Sequence, residues 1–293
     1  MTYTEVPTIE IEGLTKRFGV ERVLDALDLR LVPGVTALLG RNGAGKTTLV
    51  RILATLLAPD SGRARVCGYD VITNAAAVRR RIGVTGQFAA VDGVLTGREN
   101  LELVGRLWGL GHRARARADE LLERFALDPA ADRRAANYSG GMRRRLDLAM
   151  TLLTTPAVVF LDEPTTGLDA SSRLALWEDI RRLAGGGTIV LLTTQDLDEA
   201  DALAGRVVVL HGGRVVADDA PGRLKARAWA PTTSTSSMSG GCRSARSRPG
   251  RRRPSSLPPW PRCRPDAIVG IRHPTLDEVF LELTAANDHR VAT

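Results

Sequence analysis

Cysteine is nearly missing from this chain. Cys67, Cys242 and Cys263 are an odd, scattered set, and none stands at metal-ligand spacing from another. No disulfide or metal chemistry is therefore assigned to them. Long apolar runs are also lacking. None approaches the roughly 20 residues that a membrane helix needs, although 43% of the 293 residues are apolar, enough for a sizeable core. No charged-then-apolar segment opens the chain, so no secretory signal is read there. Together these lacks predict a cytoplasmic protein. Acid is absent from one stretch, residues 229–265, which holds eight arginines. Those eight equal the whole net charge of +8, so the remainder is balanced and offers no basic face to nucleic acid. The stretch is rich in Ser, Thr, Pro and Arg without periodicity. Its composition predicts either disorder or a segment translated out of frame, with a basic linker on anionic lipid as the other reading.

What the chain does have is Gly40-Arg41-Asn42-Gly43-Ala44-Gly45-Lys46-Thr47, which fits G-x-x-x-x-G-K-[ST] at every fixed position. The apolar run Val35-Thr36-Ala37-Leu38-Leu39 precedes it and the periodic stretch Thr48-Leu49-Val50-Arg51-Ile52-Leu53 follows. That is the strand–loop–helix context of a phosphate loop. Glycines allow the backbone to wrap phosphates, and the helix N-terminus attracts negative charge. Lys46 can reach the β- and γ-phosphates, and the Thr47 hydroxyl can ligate Mg²⁺. The motif predicts a nucleotide phosphate site without saying how the phosphate is used.

Ile9-Glu10-Ile11-Glu12 alternates with period two and predicts an exposed edge strand. Strands are also predicted at residues 24–31, 64–67 and 82–85, and helices from about 88 to 150. Val158-Val159-Phe160-Leu161 and Thr188-Ile189-Val190-Leu191-Leu192 are continuous apolar runs, suited to parallel strands covered on both faces. A hairpin is predicted at 206–216. Phe160-Leu161-Asp162-Glu163-Pro164 ends a buried strand in two carboxylates. Asp162 can hold Mg²⁺ through water, and Glu163 can orient or deprotonate the attacking water. Tyr138-Ser139-Gly140-Gly141-Met142 precedes an amphipathic helix that Ser139 can cap.

In this order the motifs resemble the nucleotide-binding subunit of an ABC transporter over roughly residues 9–220. The resemblance implies an α/β P-loop core of ABC ATPase type, with a flanking antiparallel sheet and an inserted helical subdomain. It implies a nucleotide-binding unit at 1–222 and a C-terminal region at 223–293 with a short helix at 275–284. Ser139, Gly140 and Gly141 match the family's signature loop, with Tyr138 and Met142 as substitutions. In the family that loop acts on ATP held by the partner, which implies a head-to-tail ATP-sandwich dimer. Gln87 matches the glutamine that touches Mg²⁺ and links core to helical subdomain. Gly167-Leu168-Asp169 matches the loop that crosses to the other subunit. Gln195 stands where most members have histidine; it can hydrogen-bond a γ-phosphate but cannot carry a proton charge. Phe18 sits where the family stacks an aromatic on adenine, with an ordinary core or edge Phe as the alternative. Thr48 completes the expected nucleotide contacts.

Residues 84–92, Leu95-Thr96-Gly97-Arg98-Glu99-Asn100-Leu101, Gln195 and Pro274-Thr275-Leu276-Asp277-Glu278-Val279-Phe280 narrow the resemblance to the daunorubicin-resistance ATP-binding proteins of drug exporters. ATP and Mg²⁺ are the implied cofactors. A separate membrane permease is the implied partner, touched near Leu95–Leu101, which would place the protein on the inner face of the membrane. A soluble ABC-type ATPase acting on ribosomes or DNA, and a P-loop kinase of small molecules, are the readings from other classes.

Overall fold

The computed structural model describes residues 6–86, 90–228, 275–281 and 284. Gln87 and the stretch 229–265 lie outside the described residues.

Two sheets organise the chain. Strands β1 (Ile9–Phe18), β2 (Glu21–Leu31), β4 (Ser61–Val66) and β5 (Tyr69–Asp70) form an antiparallel sheet in the order β2-β1-β4-β5. Strands β3 (Gly34–Leu39), β6 (Ile82–Thr85), β7 (Val158–Asp162), β8 (Ile189–Thr194), β9 (Arg206–His211) and β10 (Arg214–Asp219) form the main sheet, in the order β10-β9-β3-β8-β7-β6. All its neighbours are parallel except the β9–β10 hairpin.

The apolar runs follow from coverage of both faces. Successive side chains of a strand point to opposite faces. Leu38, Phe160, Leu191 and Val208 pack toward the antiparallel sheet together with Leu49 and Ile52 of helix α1 (Lys46–Leu53). Leu39, Val159, Leu161, Leu192 and Val209 pack toward the helices on the other side. Neither face meets water, so neither alternate set need be polar.

β1 departs from the expectation. It is an inner strand, paired to both β2 and β4, with Ile9 and Ile11 buried. The alternation correctly separates Ile from Glu, but edge position depends on hydrogen-bonding neighbours about 20 and 50 residues away, which period two does not encode.

After the short helix α2 (Ala75–Arg79) and β6, the chain leaves the sheet for α3 (Gly97–Leu107), α4 (Arg113–Arg124), two 3-10 turns at Asp128–Ala130 and Ala135–Asn137, and α5 (Gly140–Thr151). Thr96 caps α3 reciprocally: its hydroxyl accepts from the Glu99 N–H at 3.1 Å, and Glu99 accepts from the Thr96 N–H at 2.8 Å. Helices α6 (Ala170–Gly185), α7 (Leu197–Leu203) and α8 (Pro221–Ala228) complete the far layer, and α8 runs through the expected boundary at 222. Residues 276–281 are helical, started by reciprocal Thr275–Glu278 bonds, and bury Leu276 and Val279 in the same core.

Thr96→Ala should cost about 1 kcal/mol by loss of the cap. Phe160→Ala should cost about 3–5 kcal/mol by leaving a cavity between the sheets. Urea midpoints compared at constant slope check both.

Candidate functional site

The loop between β3 and α1 carries two glycines in the left-handed region, Gly43 at φ 82° and Gly45 at φ 101°. A Cβ on Gly45 would lie 2.6 Å from the Val23 carbonyl oxygen, and one on Gly40 2.5 Å from that of Leu210. Helix α1 starts without a side-chain cap and without acid in its first turn. Its first N–H groups and positive dipole end are therefore free for an anion. The Lys46 ammonium lies back across the loop, donating to the carbonyls of Gly40 at 2.5 Å and Arg41 at 3.2 Å. Burial holds its pKa below the usual lysine value, against the opposing pull of Glu163 and Asp162. This lining fits a polyphosphate.

A cavity of about 330 Å³ opens over the loop, lined by Phe18, Glu21, Val23, residues 41–48 and Glu163. Phe18 is 51% exposed, which removes the core reading and leaves its ring at the rim. A second cavity of about 350 Å³ brings Gln195, exposed between β8 and α7, beside Gly40, Arg41 and Asn42.

Asp162 ends β7 next to β8, and Glu163 follows it. The Thr47 hydroxyl lies 3.3 Å from Asp162 Oδ2 and 3.4 Å from Oδ1. These hard oxygen donors suit Mg²⁺. The buried Thr193 hydroxyl donates to Asp162 Oδ1 and accepts from the Glu163 N–H at 3.3 Å. Glu163 has φ 47°, a left-handed conformation that costs a residue with a Cβ of order 1–3 kcal/mol. Its N–H also donates to the Thr193 carbonyl at 3.0 Å.

Ser139 caps α5, accepting from the Met142 N–H at 3.2 Å. A Cβ on Gly141 would lie 2.6 Å from the Ser172 Cβ, so the start of α5 packs against the start of α6. There Asp169 caps α6, and bonds led by the Ser171 hydroxyl hold its carboxyl well below the usual range. Among the described residues, Ser139, Gly140 and Gly141 do not line the cavity of their own chain.

An ABC transporter family model matches residues 24–166. A daunorubicin resistance ATP-binding protein of Streptomyces coeruleorubidus is 50% identical over 310 residues, 97% of each chain. The chain belongs to the ABC transporter family. It is an ATP-binding subunit, and such subunits hydrolyse ATP and work with a membrane partner and as dimers. A doxorubicin resistance ATP-binding protein of Mycobacterium tuberculosis is 50% identical over 224 residues, covering 75% of this chain and 68% of that one. A Nod factor export ATP-binding protein of Paraburkholderia xenovorans is 43% identical over 218 residues, 74% of this chain and 72% of that one. Among solved structures, an ATP-binding cassette of an ABC transporter in its ADP conformation superposes with a TM-score of 0.67 at 26% identity, covering 73% of this chain and 91% of that one. No helix among the described residues is long and apolar enough to cross a membrane.

The fold of this ABC ATPase also brings to the site residues that sequence reasoning missed. Thr193 reads as one more β-branched residue of a buried strand. Arg144 reads as one of three consecutive arginines on a helix. Only Asp147, three residues on, hints that Arg144 has a partner.

Gly45→Ala should weaken ATP binding about tenfold or more, since the left-handed backbone alone costs roughly 1–2 kcal/mol before the clash at Val23. Titration with a fluorescent ATP analogue measures it.

Proposed function

We propose that this chain powers export of a hydrophobic drug or antibiotic through a separate permease, from the inner face of the membrane. The drug-resistance names of its relatives support the drug. In this reading residues 1–222 form the nucleotide-binding unit and 223–293 an appendage. Phe18 stacks on adenine, residues 40–48 hold the phosphates, and Thr47, Gln87 and Asp162 would hold Mg²⁺, which would supply positive charge beside the phosphates. Glu163 accepts a proton from the attacking water, and Gln195 hydrogen-bonds the γ-phosphate.

The observation that carries the dimer is the separation within one chain. Ser139 starts a helix whose N–H groups suit a phosphate, yet Ser139–Gly141 stand apart from their own phosphate cavity. A second copy, packed head to tail, supplies the missing phosphate. The same geometry disfavours a kinase, which needs no such helix start.

In this reading the permease contact expected near Leu95–Leu101 takes in the exposed residues that follow. Leu101 is fully buried, whereas Leu103, Leu107 and Trp108 are exposed. A groove of about 390 Å³ between β6 and α3 is lined by Leu56, Val84, Val104, Trp108 and Met150. In this reading it receives an apolar cytoplasmic segment of the permease.

Glu163→Gln should lower hydrolysis about 100-fold or more and trap an ATP-stabilised dimer, seen by light scattering with ATP and Mg²⁺. EDTA should stop turnover in the parent protein. A variant that stays monomeric at saturating ATP while phosphorylating a metabolite would overturn this reading in favour of a kinase.

A further inference from the structure

The carbonyls of Asp162 and Pro164, the residues on either side of Glu163, are held from outside the strand that leads to them. Arg144, on α5, is buried. Its Nε donates to the Pro164 carbonyl at 2.9 Å, and its Nη2 to the Asp162 carbonyl at 3.3 Å. Those are the carbonyls after and before Glu163. Its Nη1 donates to the Gly86 carbonyl at 2.7 Å and faces Asp147 Oδ2 at 3.4 Å. Asp147 in turn accepts from the Ala90 N–H at 3.0 Å.

We propose that Arg144 is the positioning residue for Glu163: its guanidinium clamps the carbonyls of the neighbouring residues Asp162 and Pro164 and holds Glu163 in its left-handed backbone conformation. The proposal rests on the reading of Glu163 as the carboxylate that activates water. A strained residue persists only where its surroundings over-determine it. Thr193 holds the Asp162–Glu163 peptide by its N–H and Arg144 holds it by its carbonyl, while Arg144 also holds the Pro164 carbonyl, one peptide beyond Glu163. The rigid guanidinium fork reaches these divergent carbonyls at once; an ammonium has its three donors on one nitrogen and cannot. Asp147 balances the charge. Burial lowers the Arg144 pKa and raises that of Asp147, the mark of a pair removed from water. Such a pair contributes little net stability compared with apolar packing, because desolvation offsets the attraction. Its consequence is geometric.

Arg144 rides on the helix that starts at Ser139, and Arg144 and Asp147 together bond Gly86 and Ala90, tying that helix to the chain that leaves β6.

The test is a mutant cycle on ATP hydrolysis by the full chain, with Arg144→Met, Glu163→Gln and the double variant. Arg144→Met should lower kcat about 100-fold through misplacement of the carboxylate, with KM for ATP unchanged within about twofold. The double variant should hydrolyse no more slowly than Glu163→Gln alone, because Arg144 acts through Glu163. Losses that multiply would overturn the proposal, as would a raised KM at unchanged kcat, or full activity in Arg144→Met. If Arg144→Met does not fold, Arg144→Lys takes its place in the cycle: it keeps the charge beside Asp147 but not the two-carbonyl clamp. Full activity of Glu163→Gln alone would instead overturn the reading of Glu163, and the single variant reports it separately.

Discussion

The parallel hydrogen-bond register of the main sheet is the constraint on which the site depends. β3 lies between β8 and β9, β8 pairs with β7, and β7 pairs with β6. Parallel strands end at one edge, so four chain segments distant in sequence leave the sheet together. Leu39 leads into the phosphate loop, Thr85 toward Gly86, Asp162 into Glu163, and Thr194 into Gln195. Ligands of open α/β sheets bind outside the carboxyl ends of the strands for this reason. The two cores that sandwich the sheet keep that edge in register, because a slip of one residue would exchange Phe160 and Leu161 between them.

Charge at this edge is arranged in opposition. Lys46 is buried within reach of the electrostatic pull of Asp162 and Glu163, and the start of α1 adds positive partial charge without an acidic side chain to cancel it. A bound triphosphate would answer both. Glu163 occupies its position only at the expense of backbone strain, and the bonds from Thr193 and Arg144 offset that strain locally.

Legibility in the sequence tracks the distance over which each feature is encoded. The phosphate loop is contiguous and its chemistry is local, so residues 40–47 could be read directly. The doubly covered strands were legible because burial on both faces removes alternation from Val158–Leu161 and Ile189–Leu192. Phe18 was ambiguous, since an exposed rim and a core position demand the same side chain. β1 was misjudged as an edge because hydrogen-bond partners leave no trace in side-chain period. Which apolar side chains of residues 101–108 are covered was not legible, because several helical residues share apolar character while packing alone buries Leu101 and leaves Leu103, Leu107 and Trp108 exposed.

By itself the sequence determined the chemistry available: a glycine loop before a lysine and a threonine, two carboxylates at a strand end, a serine–glycine helix start, and a glutamine closely following the apolar run of β8. These are short-range features, set by backbone freedom, charge and capping. The tertiary structure alone decided three further things. It placed Thr193 between Asp162 and Glu163. It buried Arg144, and not its neighbours in the arginine run, against the carbonyls around Glu163. It also held Ser139–Gly141 away from the chain's own phosphate cavity. Each depends on elements tens of residues apart meeting at fixed spacing, and packing and strand register set that spacing rather than any local pattern.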